Sequence, residues 1–239
     1  MQASLPEPAL RFYKKVRDDG NRLHFRAVRA ILSRMETLAV IDFETTGLSP
    51  ATGARVTEIA VVLIRGGAIV DRYQSLMNAG VHVPAFIEQL TGISDAMVRR
   101  APPVAEVMAA AADFIGDIPL VAHNAAFDSK FWDAELQRIQ RQRRQEFACS
   151  MRLARRLFSN APSHKLGTLV RYLQLPETGV YHRAMADAEM TAHLVTRLQE
   201  ELMRRFGLEH VPHKHLRAIQ AASPAKLEAC VKRIQMKPQ

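Results

Sequence analysis

Between Leu38 and Asn78 the apolar residues come in three short runs, "LAVIDFE", "VTEIAVVLIRGG" and "AIVDRYQSLMN". Each has the length and the Val/Ile content of a β-strand, and Gly66-Gly67 separates the last two as a tight hairpin turn would. After Pro84 the spacing changes. "PAFIEQLTGIS" and "PPVAEVMAAAADFIGD" carry apolar residues at helical intervals, the second ending at Gly116 and Pro119. "PLVAHN" is short enough to be a strand, and "EFACS" is the last strand expected. Helical spacing returns in "FDSKFWDAELQRIQRQ", "SMRLARRLF", "KLGTLVRYL" and "AMADAEMTAHLVTRLQEELMRRF". Three antiparallel strands followed by alternating strands and helices predict an α/β domain on a mixed sheet.

The flanks differ in texture. Residues 1–36 interleave Arg and Lys with Phe12, Tyr13, Val16, Leu23, Phe25, Val28, Ile31 and Leu32, the spacing of one or two amphipathic helices. A basic helical extension packed on the core is the expectation there, in preference to an arm for nucleic acid or a partner. Beyond Phe206, "PHKHLRAIQ" and "SPAKLEACVKRIQ" predict two short helices separated by Ser223-Pro224. The expected organisation is therefore an N-terminal extension 1–36, a main domain 37–206 and a helical C-terminal extension 207–239.

Composition narrows the class of function. A chain of 239 residues with 48% hydrophobic and 24% charged residues has the means to build one sizeable core. Its 33 Lys and Arg against 24 Asp and Glu give a net charge of +9, which suits an anionic partner such as nucleic acid. Two cysteines, Cys149 and Cys230, and no Cys-x-x-Cys leave neither a disulfide framework nor a thiolate zinc site. The first 20 residues lack the apolar segment of a signal peptide, and no window has the length of a membrane span. A cytoplasmic protein with no membrane partner is expected.

The chemistry starts at the end of the first run. In a strand alternate side chains share a face, so Leu38, Val40, Asp42 and Glu44 point one way and Ala39, Ile41 and Phe43 the other. Two carboxylates held side by side repel unless a cation neutralises them, and Mg²⁺ or Mn²⁺ prefers hard oxygen ligands of this kind. A solvated Asp-x-Glu at a strand end would account for the same residues. Downstream, "VAHNAAFDSKFW" delivers Asp128 to the first turn of a helix, where charge-dipole stabilisation is the ordinary explanation. "YHRAMADAEMTAHL" then sets His182 just before a helix and Asp187 five residues later, about one and a half turns.

Taken in order, Asp-x-Glu, Asn-x-x-Phe-Asp and His-x-x-x-x-Asp resemble the signature of the DEDDh (DnaQ-like) 3′–5′ exonuclease family. That group contains the proofreading epsilon subunit of bacterial DNA polymerase III. The resemblance runs from about Leu38 to Leu198 through "DFETTGL", "TGIS", "HNAAFD", "SHKLGTL" and "HRAMADAEMTAHL". It implies a ribonuclease H-like fold for the main domain and two divalent metal ions, Mg²⁺ or Mn²⁺, as cofactors. By analogy with the family, Asp42 would bridge both ions, Glu44 and Asp187 would complete one shell, Asp128 would hold ions directly or through water, and His182 would be the general base.

The resemblance also implies contacts to the terminal nucleotide from Thr45, Thr46, Leu48 and Thr91, with Asn124 positioning Asp128 or the substrate. Proofreading relatives often carry His where this chain has Thr91. The activity implied is hydrolysis of single-stranded or frayed DNA ends to 5′-mononucleotides. A ribonuclease or oligonucleotide-degrading enzyme is the alternative within the same chemistry, and a non-catalytic nucleic-acid-binding module accessory to a polymerase is the alternative outside it. The expected partner is nucleic acid, with a DNA polymerase or repair protein as a further candidate. The basic clusters "RIQRQRRQ" and "RLARRLF" are compatible with phosphate contacts and equally with solvated helix faces.

Overall fold

A computed structural model describes residues 36–236; the expected N-terminal extension, apart from Glu36, lies outside the described residues. Five strands form one sheet in the order β3-β2-β1-β4-β5. The strands β1 (Thr37–Thr45), β2 (Val56–Arg65) and β3 (Ala68–Leu76) pair antiparallel. Gly66 and Gly67 join the last two with φ of 58° and 79°, the doubly positive turn that matches strand twist and that residues with a Cβ resist. The short strands β4 (Leu120–Ala122) and β5 (Phe147–Cys149) add parallel to β1 and to each other. This is the mixed α/β sheet expected, in a ribonuclease H-like arrangement.

Helices cover both faces. Ala39, Ile41 and Phe43 of β1 and Ile59, Val61 and Leu63 of β2 pack with Val107, Met108, Phe131 and Trp132. Those partners come from α3 (Val104–Ile115) and α4 (Ala125–Arg138). Leu38 and Val40 look the other way, with Ala60 and Val62, onto α5 (Ser150–Leu157), α6 (Leu166–Tyr172) and the long α7 (Ala184–Phe206). The two-residue alternation of β1 thus separates two cores, and Asp42 and Glu44 continue the row that faces α7.

Two small helices, α1 (Ala85–Thr91) and α2 (Asp95–Arg100), bridge β3 to α3. The second is an element that the sequence reading did not separate, although Ser94 caps it by accepting the Met97 N–H at 3.1 Å. At the other end, α7 stops at Gly207, whose left-handed φ of 65° lets its N–H reach the Met203 carbonyl. The C-terminal helices α8 (His213–Ala221) and α9 (Leu227–Met236) then fold back, and their Leu216, Ile219, Leu227 and Val231 share the core of Leu198 and Leu202. No helix among the described residues is long and apolar enough to cross a membrane.

Candidate active site

The end of β1 is where the sheet pattern and the charge pattern collide. Antiparallel pairing sets Glu44 opposite Glu58 of β2, both on the α7 side, and the register shifts between Glu44 and Thr45. That irregularity turns the chain into the loop of Thr46 to Ala54 directly after the acidic pair. Asp128 enters from the first turn of α4, next to the Phe43 backbone N–H, and is only 2% exposed. Asp187 enters from the first turn of α7 and accepts the His182 N–H at 3.2 Å. The structure therefore brings Asp42, Glu44, Asp128, Asp187 and His182 into one group, and ligand atoms of Glu44, His182 and Asp187 lie within 4.8 Å of one another.

Electrostatically the group is strained. Burial, followed by the charges of Asp128, Asp187, Glu44 and Glu58, pushes the Asp42 carboxyl well above its ordinary range. Glu44 is pushed up to about 8 by burial and then by Asp187 and Glu58, with Arg183 pulling the other way. Asp128 is likewise raised to about 8 by burial, against the backbone N–H groups that favour its charged form. Asp187 is raised by burial as well, while the His182 N–H and imidazole oppose the shift. One oxygen of Asp187, Oδ1, is buried without a hydrogen-bond partner.

A hard divalent cation resolves all of this at once. Carboxylate oxygens are the donors that Mg²⁺ and Mn²⁺ prefer, and positive charge among them restores the ionised forms that burial disfavours. The donor set and the orphaned Asp187 oxygen thus fit such ions, with Asp42, Glu44, Asp128 and Asp187 as the groups that would hold them.

A pH dependence follows, and its sign is opposite to that of ordinary acid denaturation. Unfolded Asp and Glu release their protons near pH 3.9 to 4.3, whereas folded Glu44 and Asp128 keep theirs to about 8. Between those limits the folded chain binds more protons than the unfolded one, so stability falls as pH rises from about 4 and levels off above about 8. Metal-free protein is expected to melt at a lower temperature at pH ~8.5 than at pH ~5.5. Added Mg²⁺ should narrow the gap, and Glu44→Gln should shrink it. Thermal scans that are flat across this range would mean that the carboxyls ionise freely.

The remaining sequence-derived residues fall into two groups. Leu48 is 84% exposed on the loop after β1 and offers a bare apolar surface. Thr45 and Thr46 stand beside it, but their hydroxyls shape the loop: Thr45 donates to the Gly47 carbonyl at 2.7 Å, and Thr46 accepts the Arg55 N–H at 3.0 Å. Asn124 is exposed and makes no side-chain cap. Its left-handed backbone, φ 67°, turns the chain from β4 into α4 and so sets where Asp128 sits. Thr91 is buried, with its hydroxyl donating to the Ile87 carbonyl at 2.9 Å and accepting the Ile93 N–H at 3.1 Å. Its side chain is occupied in closing α1, which accounts for a threonine at this position without a ligand.

Several supporting residues were not singled out from the sequence. Glu58 and Arg183 form an ion pair at 2.9 Å beneath the group. Arg55 clamps Glu135 of α4 through two bonds, at 2.7 and 2.9 Å, and donates to the Ala79 carbonyl. It thereby ties the Thr45–Ala54 loop to the helix that carries Asp128. His123 is held between Ser150 Oγ at 2.9 Å and the His164 carbonyl at 3.0 Å, and burial lowers it to about 4, which keeps it neutral. Among the basic clusters, Arg141 and Arg143 are engaged with Asp113 and Asp133, and Arg156 with the Ala222 carbonyl.

Comparison with known proteins agrees with this geometry. The RNase_T exonuclease family model matches residues 39–195. The DNA polymerase III subunit epsilon of Aquifex aeolicus is 31% identical over 173 residues, 72% of this chain and 85% of that protein. The PolC-type DNA polymerase III of Bacillus subtilis is 34% identical over 81% of this chain; the match spans only 13% of that much longer relative. Among solved structures, exonuclease X in complex with 5′ overhanging duplex DNA aligns with a TM-score of 0.56 at 28% identity, covering 72% of this chain and 95% of that one. The nuclease domain of 3′hExo, a DEDDh family member bound to rAMP, shares the fold with a TM-score of 0.60 at 23% identity, over 74% of this chain and 96% of that one. With the acidic residues and the histidine converging where the matched region folds, this chain belongs to the RNase_T exonuclease family.

Proposed function

We propose that the protein is a divalent-metal-dependent 3′–5′ exonuclease that removes 5′-mononucleotides from single-stranded or frayed DNA ends. The observation that carries this reading is the convergence of Asp42, Glu44, Asp128 and Asp187 at the end of β1, with His182 beside Glu44 and Asp187. Bound among the four carboxylates, two Mg²⁺ or Mn²⁺ ions supply activation of the attacking water and neutralisation of charge at phosphorus and on the departing 3′ oxygen.

The chain's own residues do the rest. His182 is exposed on a left-handed turn, φ 62°, where its imidazole accepts the water's proton. The loop backbone at Thr45 and Thr46 shapes the floor beneath the terminal nucleotide, and the exposed side chain of Leu48 packs on its base. A base's flat face accepts such a contact whatever its identity, so digestion is expected to be sequence-tolerant.

DNA is the substrate class favoured by the epsilon and exonuclease X likenesses. We extend the nucleic-acid part of those likenesses to this chain, and no attachment to a polymerase. The test is nucleotide release from a single-stranded DNA 3′ end by protein stripped with EDTA and resupplied with Mg²⁺, with Ca²⁺ as a control. Mg²⁺ should restore turnover, and Ca²⁺ should support little because its larger, looser shell positions the reactants poorly. Undiminished turnover by the stripped protein would remove the reading.

A further inference from the structure

Glu58 is 1% exposed, lies opposite Glu44 in the β1–β2 register, and adds its charge to those that strain Asp42 and Glu44. A buried carboxylate beside Asp42 and Glu44 is a poor choice for stability, since an apolar residue of similar size would serve the strand better. What its location secures is a set of four bonds. Oε1 accepts Arg183 Nη2 and Gln74 Nε2, both at 2.9 Å; Oε2 accepts Arg183 Nε at 3.2 Å and the Ala184 N–H at 3.0 Å.

Three of those four bonds come from Arg183 and Ala184, the two residues that follow His182 directly in the chain. His182 itself has a φ of 62°, a conformation that costs a residue with a Cβ and that persists where the surroundings impose it. In the turn before it Val180 is 74% exposed, while Tyr181 packs with Val170, Ala186 and Met190 and the Thr178 hydroxyl donates to the Ala186 carbonyl at 3.0 Å. Those contacts precede His182; at His182 and after it the polar holds are the His182 N–H on Asp187 at 3.2 Å and the Arg183 and Ala184 donors on Glu58. A planar guanidinium against a carboxylate fixes direction as well as distance.

We propose that Glu58 is a positioning residue for His182: through Arg183 and Ala184 it holds the left-handed turn that keeps the imidazole beside Glu44 and Asp187. The proposal rests on the reading of His182 as general base. Glu58 touches neither substrate nor metal in this scheme, and it acts by geometry.

The test is a double-mutant cycle joined to hydrogen exchange. Glu58→Gln preserves shape but sets an amide N–H₂ against Arg183, so kcat should fall by about 10- to 100-fold, the cost of a small misplacement, with KM little changed. In a His182→Ala background the same substitution should change the rate by less than about 2-fold, because the group it positions is gone. In metal-free protein, the amides of residues 180–184 should exchange faster in Glu58→Gln while those of β1 stay as they were. Arg183→Met, a change at a partly exposed side chain, should reproduce both results and keeps the test intact if Glu58→Gln does not fold.

An equal fold-loss in both backgrounds, or unaltered exchange at residues 180–184, would overturn the proposal. Full activity in His182→Ala alone would instead remove the general-base reading, and the exchange comparison would still decide whether Glu58 holds the turn.

Discussion

Asp42→Asn is expected to abolish metal-dependent hydrolysis while making the metal-free protein more stable. Asp42 is the acid on which the charges of all the others converge, and it is raised by burial and then by Asp128, Asp187, Glu44 and Glu58. Replacing its carboxylate by an amide removes a ligand at the centre of the group, so the rate should fall by about 10³-fold or more, beyond the loss typical of a single preorganised donor. The same change relieves like-charge repulsion in the folded state. A chain of this size gains on the order of 2–4 °C in Tm for each kcal/mol so recovered. Paired activity and melting measurements check both halves. Substantial Mg²⁺-dependent turnover by purified Asp42→Asn protein would sink the assignment of the site.

His182→Ala should lower the single-turnover rate by roughly the 10²- to 10⁴-fold typical of a lost general base, and leave Mg²⁺ binding near wild type because the four carboxylates remain. Calorimetric titration with Mg²⁺ separates the two effects. A variant that loses metal affinity as steeply as it loses rate would make His182 a ligand, an outcome that its proximity to Glu44 and Asp187 keeps chemically meaningful. A variant with wild-type rate would leave the water's proton without the acceptor proposed here.

Much of this site was legible in the chain because its parts are local. The period of two along β1 assigns Asp42 and Glu44 to the face of Leu38 and Val40, and the structure separates the two cores along that same alternation. Gly66-Gly67 announces its turn through the one property that only glycine supplies freely, positive φ. Asp128 and Asp187 are each marked by a helix start.

What could not be read depends on register and on contacts distant in sequence. Glu58 sits inside "VTEIAVV", where a lone carboxylate in a buried strand was the available signal, but its partner Arg183 is 125 positions away. Arg55 and Glu135 are separated by 80 positions, and nothing in either segment names the other. The two backbone groups that the Thr91 hydroxyl bonds, the Ile87 carbonyl and the Ile93 N–H, were likewise not announced by the "TGIS" segment. At Asn124 the feature that places the start of α4 is a left-handed backbone, which its position in "HNAAFD" does not announce.

Hydrolysis by the carboxylate group is expected to run inward from a 3′ hydroxyl. It is tested most directly by digesting two 5′-labelled single strands that differ only at the 3′ terminus, one a hydroxyl and one a phosphate, with EDTA-stripped protein before and after Mg²⁺. Expected are a ladder shortening one nucleotide at a time from the 3′ end, release of 5′-mononucleotides, resistance of the 3′-phosphate strand, and no digestion until Mg²⁺ is added. Equal digestion of both strands, or shortening that proceeds in EDTA, would contradict it.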